Sequence, residues 1–274
     1  MTFTFKKISF TLAITIVVLL FFSCSDDDTT ATESETPTNY TLLPLSIGST
    51  WTYDVNTDDG TNPPTTSEDE ITANGNITIN SMEYTDFTAT PGFTGTMSTL
   101  LDQNNFRTAN GIYYMYGDFT FPLSQLGGTD IVIQLNDAKL IDQNQTNGTT
   151  LTTETGSTTQ NISGYDIIID YTLSTVQKET LNNYSVNNQD YTNVVASDIV
   201  VTATVSIDLG FITQTILPTQ NVYVITNYYA DDVGLIDSEA IFTYEITDIP
   251  GISLPIPSTA TIVTTQKLAT YTIN

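Results

Sequence analysis

The stretch YDIIIDYTL, residues 165–173, shows what kind of fold this sequence encodes. Large apolar side chains occupy every second residue, and both aspartates fall between them. Because the side chains of a β-strand point alternately to its two faces, this pattern predicts a strand with one buried and one solvated face, as in antiparallel sheets. The predicted buried set is Tyr165, Ile167, Ile169, Tyr171 and Leu173.

The same alternation recurs along the chain. It is clearest in residues 51–55, 201–209 and 242–246, and turn-forming pairs such as Asn110-Gly111 separate the alternating runs. We therefore expect an all-β protein built as a large curved antiparallel sheet or an open barrel, with a β-sandwich as the alternative. Behind the N-terminal segment, helix is expected only as a short turn at residues 136–142.

An internal repeat indicates how this sheet is organised. Residues 77–87, ITINSMEYTDF, align without a gap to residues 184–194, YSVNNQDYTNV, and each reads as a strand, a polar turn and a second strand. A Gly-x-Thr strand start precedes each hairpin, and a tyrosine-rich strand follows each one. These features predict a β-rich domain at 40–274 made of two related halves, about 40–136 and 137–274. Chance similarity between two hairpins is the alternative, and the sequence leaves open whether the halves share one sheet.

The N-terminal segment predicts a targeting signal rather than a part of the folded domain. Residues 1–7 carry Lys6 and Lys7, and residues 8–22 are apolar and uncharged. As a helix this run would rise about 22 Å, short of the roughly 30 Å hydrocarbon core of a bilayer. We interpret residues 1–23 as a secretory signal peptide, with a short transmembrane anchor as the alternative.

The end of this segment, Phe21-Phe22-Ser23-Cys24, resembles the lipobox of bacterial lipoproteins. The resemblance implies cleavage before Cys24, the only cysteine of the chain, and attachment of lipid to it, so that the lipid anchors the protein to a membrane. The next residues resemble the acidic lipoprotein export signal of Bacteroidetes, which implies an outer-membrane location facing the cell exterior. They are Ser25, Asp26, Asp27 and Asp28.

We therefore interpret residues 24–39 as the lipidated cysteine followed by a flexible acidic tether. The alternative to an export signal is that the aspartates are only the solvated start of this linker. The domain behind the tether also resembles uncharacterised β-rich bacterial lipoproteins. The similar stretches are residues 45–53, with a Gly-x-x-Trp-x-Tyr strand, and residues 228–236, YYADDVGLI. The resemblance implies a curved antiparallel sheet or open barrel and no particular activity.

The charge balance excludes one class of partner. The chain has six Lys and Arg residues against 31 Asp and Glu, a formal net charge of −25. Residues 1–23 contain two lysines and no acid, so their removal leaves four basic residues against 31 acids, a net charge of −27. Nucleic-acid binding depends on Lys and Arg that displace counterions from phosphates, so we expect no nucleic-acid partner.

Several catalytic chemistries are also excluded. The chain has no histidine, and its single cysteine is assigned to lipidation. Together these facts exclude Ser/His and Cys/His nucleophilic catalysis and zinc sites built from Cys and His. We therefore predict no catalytic residues and no enzyme. A carboxylate-dependent glycoside hydrolase is the alternative function, because it requires only two close acids, one with a raised pKa. No sequence feature selects such a pair.

Two weak binding signals remain. Asp54, Asn56 and Asp58 have the spacing that starts an EF-hand calcium loop, but Gly60 is one place late, and an acidic hairpin turn is the alternative. No other cofactor is expected. In Ile112-Tyr-Tyr-Met-Tyr116 the three tyrosines cannot all face one side, so at least one points outward and is a candidate for ligand contact.

These observations favour a lipid-anchored cell-envelope protein with a binding or structural role. We expect a glycan, a lipid-like molecule or a protein partner to bind the concave side of the curved sheet. A deep cleft with two close acids would instead favour the hydrolase, and a fully packed interior would favour a structural or adhesive role.

Overall fold

The protein is described here by a computed structural model that covers residues 39–126, 128–162, 164–247 and 257–274. The predicted signal peptide, Cys24 and the export residues Ser25 to Asp28 lie outside these ranges. Within them, no helix has the length and apolar character required to cross a bilayer.

The described residues form twelve strands, one α-helix and one short 3-10 helix. In chain order they are β1 (Thr50–Asp58), β2 (Thr65–Ile79), β3 (Met82–Ala89), α1 (Thr96–Gln103), β4 (Asn105–Ala109), β5 (Ile112–Phe121), the 3-10 helix (Leu123–Leu126), β6 (Ile131–Asp142), β7 (Thr150–Ile162), β8 (Tyr165–Val186), β9 (Gln189–Asp208), β10 (Thr213–Ala230), β11 (Gly234–Glu245) and β12 (Thr259–Thr272).

All twelve strands belong to one sheet, in the order β6-β5-β4-β3-β2-β1-β12-β11-β10-β9-β8-β7. Every neighbouring pair is antiparallel. The two end strands, β6 and β7, lie beside each other, so the sheet is nearly closed into a barrel with one unsealed seam. The predicted all-β antiparallel open barrel is confirmed, and the β-sandwich alternative is wrong because a single sheet curls back on itself.

Side chains bridge the seam where a backbone ladder is missing. Thr152 Oγ1 on β7 accepts a hydrogen bond from Lys139 N on β6 (2.9 Å) and donates one to Lys139 O (3.3 Å). Gln160 on β7 likewise accepts from Thr129 N through its Oε1 and donates to Thr129 O through its Nε2, both at 2.7 Å. These side chains take the place of a strand's backbone groups and satisfy part of the edge formed by β6 and by Thr129, which lies just before it.

The sheet consists of two six-strand meanders, the first made of β1 to β6 and the second of β7 to β12. The repeated sequences occupy equivalent hairpins in the two meanders. Residues 77–87 form the β2–β3 turn, and residues 184–194 form the β8–β9 turn. Both central residues of each turn have positive φ, between 51° and 66°, which is the conformation of the type I′ turns that join antiparallel strands. Gly48 and Gly148, which precede β1 and β7, share a φ of 87°. Their amides donate to equivalent carbonyls, Ala73 O and Gln177 O, both at 2.8 Å.

Two details of the sequence alignment need correction. The tyrosine-rich strands that follow the two hairpins are β5 and β10, the fifth strand of one meander and the fourth of the other, and so are not equivalent. The boundary expected near residue 136 falls inside β6, and the sheet order divides the meanders between β6 and β7.

The helical turn expected at 136–142 is wrong, since these residues continue β6. Asp137, with a φ of 59°, interrupts the alternation there and shifts which side chains face inward. The helix that does form, α1, buries Met97, Leu100 and Leu101 on one face. Its start is held by the buried Asp69 on β2, whose Oδ2 accepts from Gly95 N at 2.7 Å.

The barrel interior is filled by side chains. Aromatic rings pack across it, with Phe119 on β5 lying 6.1 Å from Tyr223 on β10, and Phe121 lying 6.0 Å from Phe242 on β11 (centroid distances). A void between α1 and the wall, lined by apolar side chains such as Met97, has a volume of only about 10 Å³. Around these described residues the concave side is therefore packed with core side chains, and binding of a ligand elsewhere on that side stays a prediction.

A belt of buried polar side chains crosses this interior in register, each no more than 2% exposed. It consists of Gln177, Ser197, Asn227, Ser238 and Gln266. At one end Gln177 Oε1 accepts from Asp142 N across the seam (2.9 Å), and at the other Gln266 Nε2 donates to Ser98 Oγ on α1 (3.0 Å). The belt therefore ties both the seam and the helix to the sheet.

Candidate functional site

The outer wall of the barrel carries an arm formed by the β8–β9 hairpin. The hairpin's ladder is interrupted between Gln177 and Thr180, and Asn193 has a φ of 54°; we call residues 178–195 beyond these irregularities the arm. At its tip, Asn187 Nδ2 donates to Leu268 O on β12 (3.1 Å) and to Asp54 Oδ2 on β1 (3.3 Å). The arm therefore crosses the outer faces of the neighbouring strands.

Beside the arm lies a polar recess with a volume of about 290 Å³. Its floor consists of two register rows on the outward faces of β10, β11 and β12, and its side includes a tyrosine of the arm. The floor residues are Tyr228, Asp237 and Lys267 in one row and Thr226, Glu239 and Thr265 in the next; the arm contributes Tyr184.

Two tyrosines give the recess its apolar surface. The rings of Tyr184 and Tyr228 stack with centroids 4.3 Å apart and planes 13° from parallel. The Tyr184 hydroxyl donates to Asp237 Oδ2 at 3.0 Å. Burial raises the pKa of Tyr184 well above its usual value, and the charge of Asp237 and the hydrogen bond to it raise this pKa further. The hydroxyl therefore stays protonated and remains a donor. These contacts hold the arm against the wall.

Asp237 is the buried acid of the recess, with only 9% of its surface exposed. Burial raises its pKa above the ordinary aspartate value, while the hydrogen bond from Tyr184 and the charge of Lys267 partly offset this. Glu239, two residues further along β11, points the same way and is exposed. The recess therefore pairs one sheltered carboxyl with one solvated carboxylate.

Further carboxylates surround the recess. Asp198 on β9 pairs in register with Thr226, and its Oδ2 lies 3.3 Å from Lys178 Nζ. Its other oxygen, Oδ1, is buried and has no hydrogen-bond partner among the described residues. Burial raises the pKa of Tyr228, and the charges of Glu179, Asp237, Asp198 and Glu239 raise it further. The surroundings are thus strongly negative.

The first meander carries a related cluster that is already filled. Arg107 lies with its guanidinium carbon 3.8 Å from the centre of the Tyr114 ring and 5.6 Å from that of Tyr84. Arg107 Nε donates to Asp137 Oδ1 at 2.8 Å, and its NH2 group pairs with Asp137 Oδ2. Burial alone would raise the pKa of Asp137, but the bonds from Arg107 and Tyr84 hold it below the usual value. Tyrosines and an aspartate on this outer wall thus hold a cation.

The structure locates the tyrosines proposed for ligand contact. Tyr113 points inward, is 5% exposed, and accepts from Leu42 N at 2.7 Å. Tyr114 points outward but is covered by Arg107, and Tyr116 packs on Tyr84 with centroids 5.8 Å apart. The prediction that at least one tyrosine faces outward is confirmed, although neither outward ring lines the recess.

The calcium candidates Asp54, Asn56 and Asp58 lie on strand β1 rather than in a loop. Neighbours in this set are about 7 Å apart along the strand, and the Asp54 carboxylate accepts from Asn187. Among the described residues, no group of three or more acidic, Cys or His side chains is arranged to hold a metal ion. In the turn that follows, Asp59 accepts from Thr61 N and Asn62 N (2.9 and 2.8 Å), as in an ordinary acidic hairpin turn.

The recess residues themselves were not predicted from the sequence. Tyr228 lies in the quoted stretch YYADDVGLI, but nothing local marks it as a ligand contact. Tyr184 and Asp237 are 53 residues apart and meet only because the arm bends across β10. The available signal was the repeat, which marked the β8–β9 hairpin as a distinct unit.

Fold and recess together define a nearly closed, twelve-stranded antiparallel barrel with a polar depression on its outer wall. The structure is similar to that of a "putative lipoprotein" from Parabacteroides distasonis, a member of the Bacteroidetes, with 13% sequence identity, 86% of this chain and 100% of that chain covered, and a TM-score of 0.35. No protein-family model and no curated protein matches the sequence.

Proposed function

We propose that the protein is a lipid-anchored, non-catalytic binding protein of the cell envelope, facing the cell exterior, that holds a saccharide unit in the Tyr184–Tyr228 recess. The observation that carries this proposal is the stacked tyrosine pair, fixed by the bond to Asp237, beside a depression of about 290 Å³. Ligand sites in proteins begin at about 300 Å³, so the recess suits one small unit rather than a long chain.

The lining supports a saccharide over the other ligands considered. Aromatic rings offer an apolar face, while the hydroxyls of Thr226 and Thr265 and the two carboxylates can bond to sugar hydroxyls. A lipid-like ligand would need an apolar cavity, and the apolar void that the described residues form between α1 and the wall, at about 10 Å³, is too small for one. The anchor is proposed from the lipobox-like sequence at Cys24.

A glycoside hydrolase is the second candidate, and one observation favours it. Asp237 and Glu239 lie on one face of β11, about 7 Å apart along the strand, near the carboxyl separation of inverting glycosidases. The raised pKa of Asp237 suits a general acid. The recess is an open depression on the wall rather than the deep cleft expected for an enzyme, so we place this candidate second.

Binding can be tested with oligomers of glucose, N-acetylglucosamine and glucosamine by calorimetry. Tyr228→Ala is expected to weaken binding about tenfold or more, because it removes an aromatic contact worth roughly 1 kcal/mol besides its buried area. Tyr271→Ala is the matched control, since Tyr271 is an exposed tyrosine outside the recess lining. Absence of binding by every oligomer, or binding indifferent to Tyr228, would refute the proposal.

The hydrolase is tested on the same oligomers by measuring new reducing ends. The binding proposal expects none over a long incubation. Turnover by the wild type that Asp237→Asn abolishes, with binding retained, would establish the second candidate instead.

A further inference from the structure

We infer that the recess selects a saccharide that carries a free, protonated amino group. The inference rests on the proposed binding role of the recess and adds the charge of its ligand. The balance of charge around the recess and the filled cluster at Arg107 support it.

Acids outnumber lysines around the recess. Asp237 and Glu239 line it, Asp198 and Glu179 act on Tyr228, and Asp54 pairs in register with Lys267. Against these five acids stand two lysines, Lys178 and Lys267, and Lys178 is already paired with Asp198. The remaining negative charge favours a cation and disfavours a phosphorylated or carboxylated sugar.

The Arg107 cluster shows how this outer wall holds a cation. There a tyrosine hydroxyl bonds to an aspartate, and the guanidinium lies over one ring while pairing with that aspartate. The recess has the same pairing of a tyrosine hydroxyl with an aspartate, between Tyr184 and Asp237. No arginine lines it, and its one lysine, Lys267, lies beside Asp237 and leaves Glu239 without an ion pair among the described residues. A ligand ammonium placed between Asp237 and Glu239 would make the carboxylate contacts that Arg107 makes with Asp137 in the first meander.

Asp198 adds to the negative charge beside the recess. The residue is 9% exposed, and its buried Oδ1 has no hydrogen-bond partner among the described residues, although Lys178 pairs with Oδ2. Buried carboxylate oxygens are ordinarily paired, because leaving one unpaired is costly. Asp198 pairs in register with Thr226 on the floor of the recess but is not itself part of the lining, so its charge acts on a ligand there only from a distance.

The test compares two probes that differ in charge at the same position. An oligomer of glucosamine and the same oligomer of N-acetylglucosamine are titrated against the full domain at mildly acidic pH, where the free amine is protonated. The glucosamine oligomer is expected to bind at least tenfold more tightly. Glu239→Gln and Asp237→Asn are each expected to weaken that binding about tenfold, with less effect on the N-acetylated probe.

The matched control is Glu245→Gln, which removes the same charge from the same outward face of β11, six residues away. It should change affinity less than twofold. If it weakens binding as much as Glu239→Gln, the effect is general attraction to an acidic protein and the inference fails. Equal binding of both probes also overturns the inference, but leaves the recess proposal standing if Tyr228→Ala still matters. If neither probe binds, the inference is overturned, and the recess proposal falls with it if the glucose oligomer also fails to bind.

Discussion

The seam between β6 and β7 gives the most direct test of the fold, through Thr152→Val. Valine keeps the shape of threonine and its strand propensity but removes the hydroxyl that accepts from Lys139 N and donates to Lys139 O. The carbonyl keeps a second donor, Thr175 Oγ1, whereas the Lys139 amide loses its seam partner. An amide left unsatisfied costs about 1–3 kcal/mol, so we expect the free energy of unfolding to fall by that amount.

Urea unfolding followed through the fluorescence of Trp51 measures the loss, and hydrogen exchange locates it. The amide of Lys139 should exchange faster, while amides of central strands should change only as far as global stability does. Thr153→Val is the control, because Thr153 is an exposed neighbour on β7 whose side chain makes no hydrogen bond across the seam to any residue in the described ranges. A loss below about 0.5 kcal/mol, or unchanged exchange at Lys139, would refute the view that side chains hold the seam shut.

Four further outcomes are expected. Asp237→Asn should stabilise the domain at neutral pH, because the raised pKa means that burying the charge opposes folding; the gain should vanish as pH falls below the carboxyl's unfolded pKa, and a loss at neutral pH would contradict it. Cys24→Ser should abolish incorporation of labelled fatty acid, and persistent labelling would refute the anchor. Replacing Asp26, Asp27 and Asp28 with Ala should reduce the access of protease to the protein on intact cells; unchanged access would contradict an export role. Calcium should barely move the melting temperature; a rise of many degrees would show a site at Asp54 to Asp58.

The sequence predicted the strand faces because they depend on local alternation. Ile167, Ile169 and Leu173 are buried and Asp166 is exposed, as the period of two requires. The β2–β3 and β8–β9 turns were also readable, because positive φ at two successive polar residues is a local property. Closure of the barrel could not be predicted from the sequence. It depends on side-chain contacts between β6 and β7, which share no continuous backbone ladder.

Helix α1 shows why the remaining misses occurred. Its eight residues are too short for a periodic signal, and its stability depends on partners far away in sequence. Asp69, 26 residues earlier, accepts from Gly95 N, and Gln266, 168 residues later, accepts from Ser98 N. The recess has the same dependence, because Tyr184 reaches Asp237 only through the bend of the arm. Contacts of this kind arise from the closed sheet and not from any single stretch.

The distribution of basic residues connects the fold to the proposed ligand. Of the four Lys and Arg residues in the described ranges, Arg107, Lys139 and Lys178 each form an ion pair with an aspartate. The charge of the fourth, Lys267, partly offsets the rise that burial causes in the pKa of Asp237. The positive charges are thus committed to the protein's own carboxylates, while most acids remain solvated. A surface of this kind draws cations toward it over about a Debye length, roughly 8–10 Å at physiological salt, and repels anions. Discrimination among cations must then come from a shaped contact, and the stacked tyrosines beside Asp237 and Glu239 provide one on the outer wall.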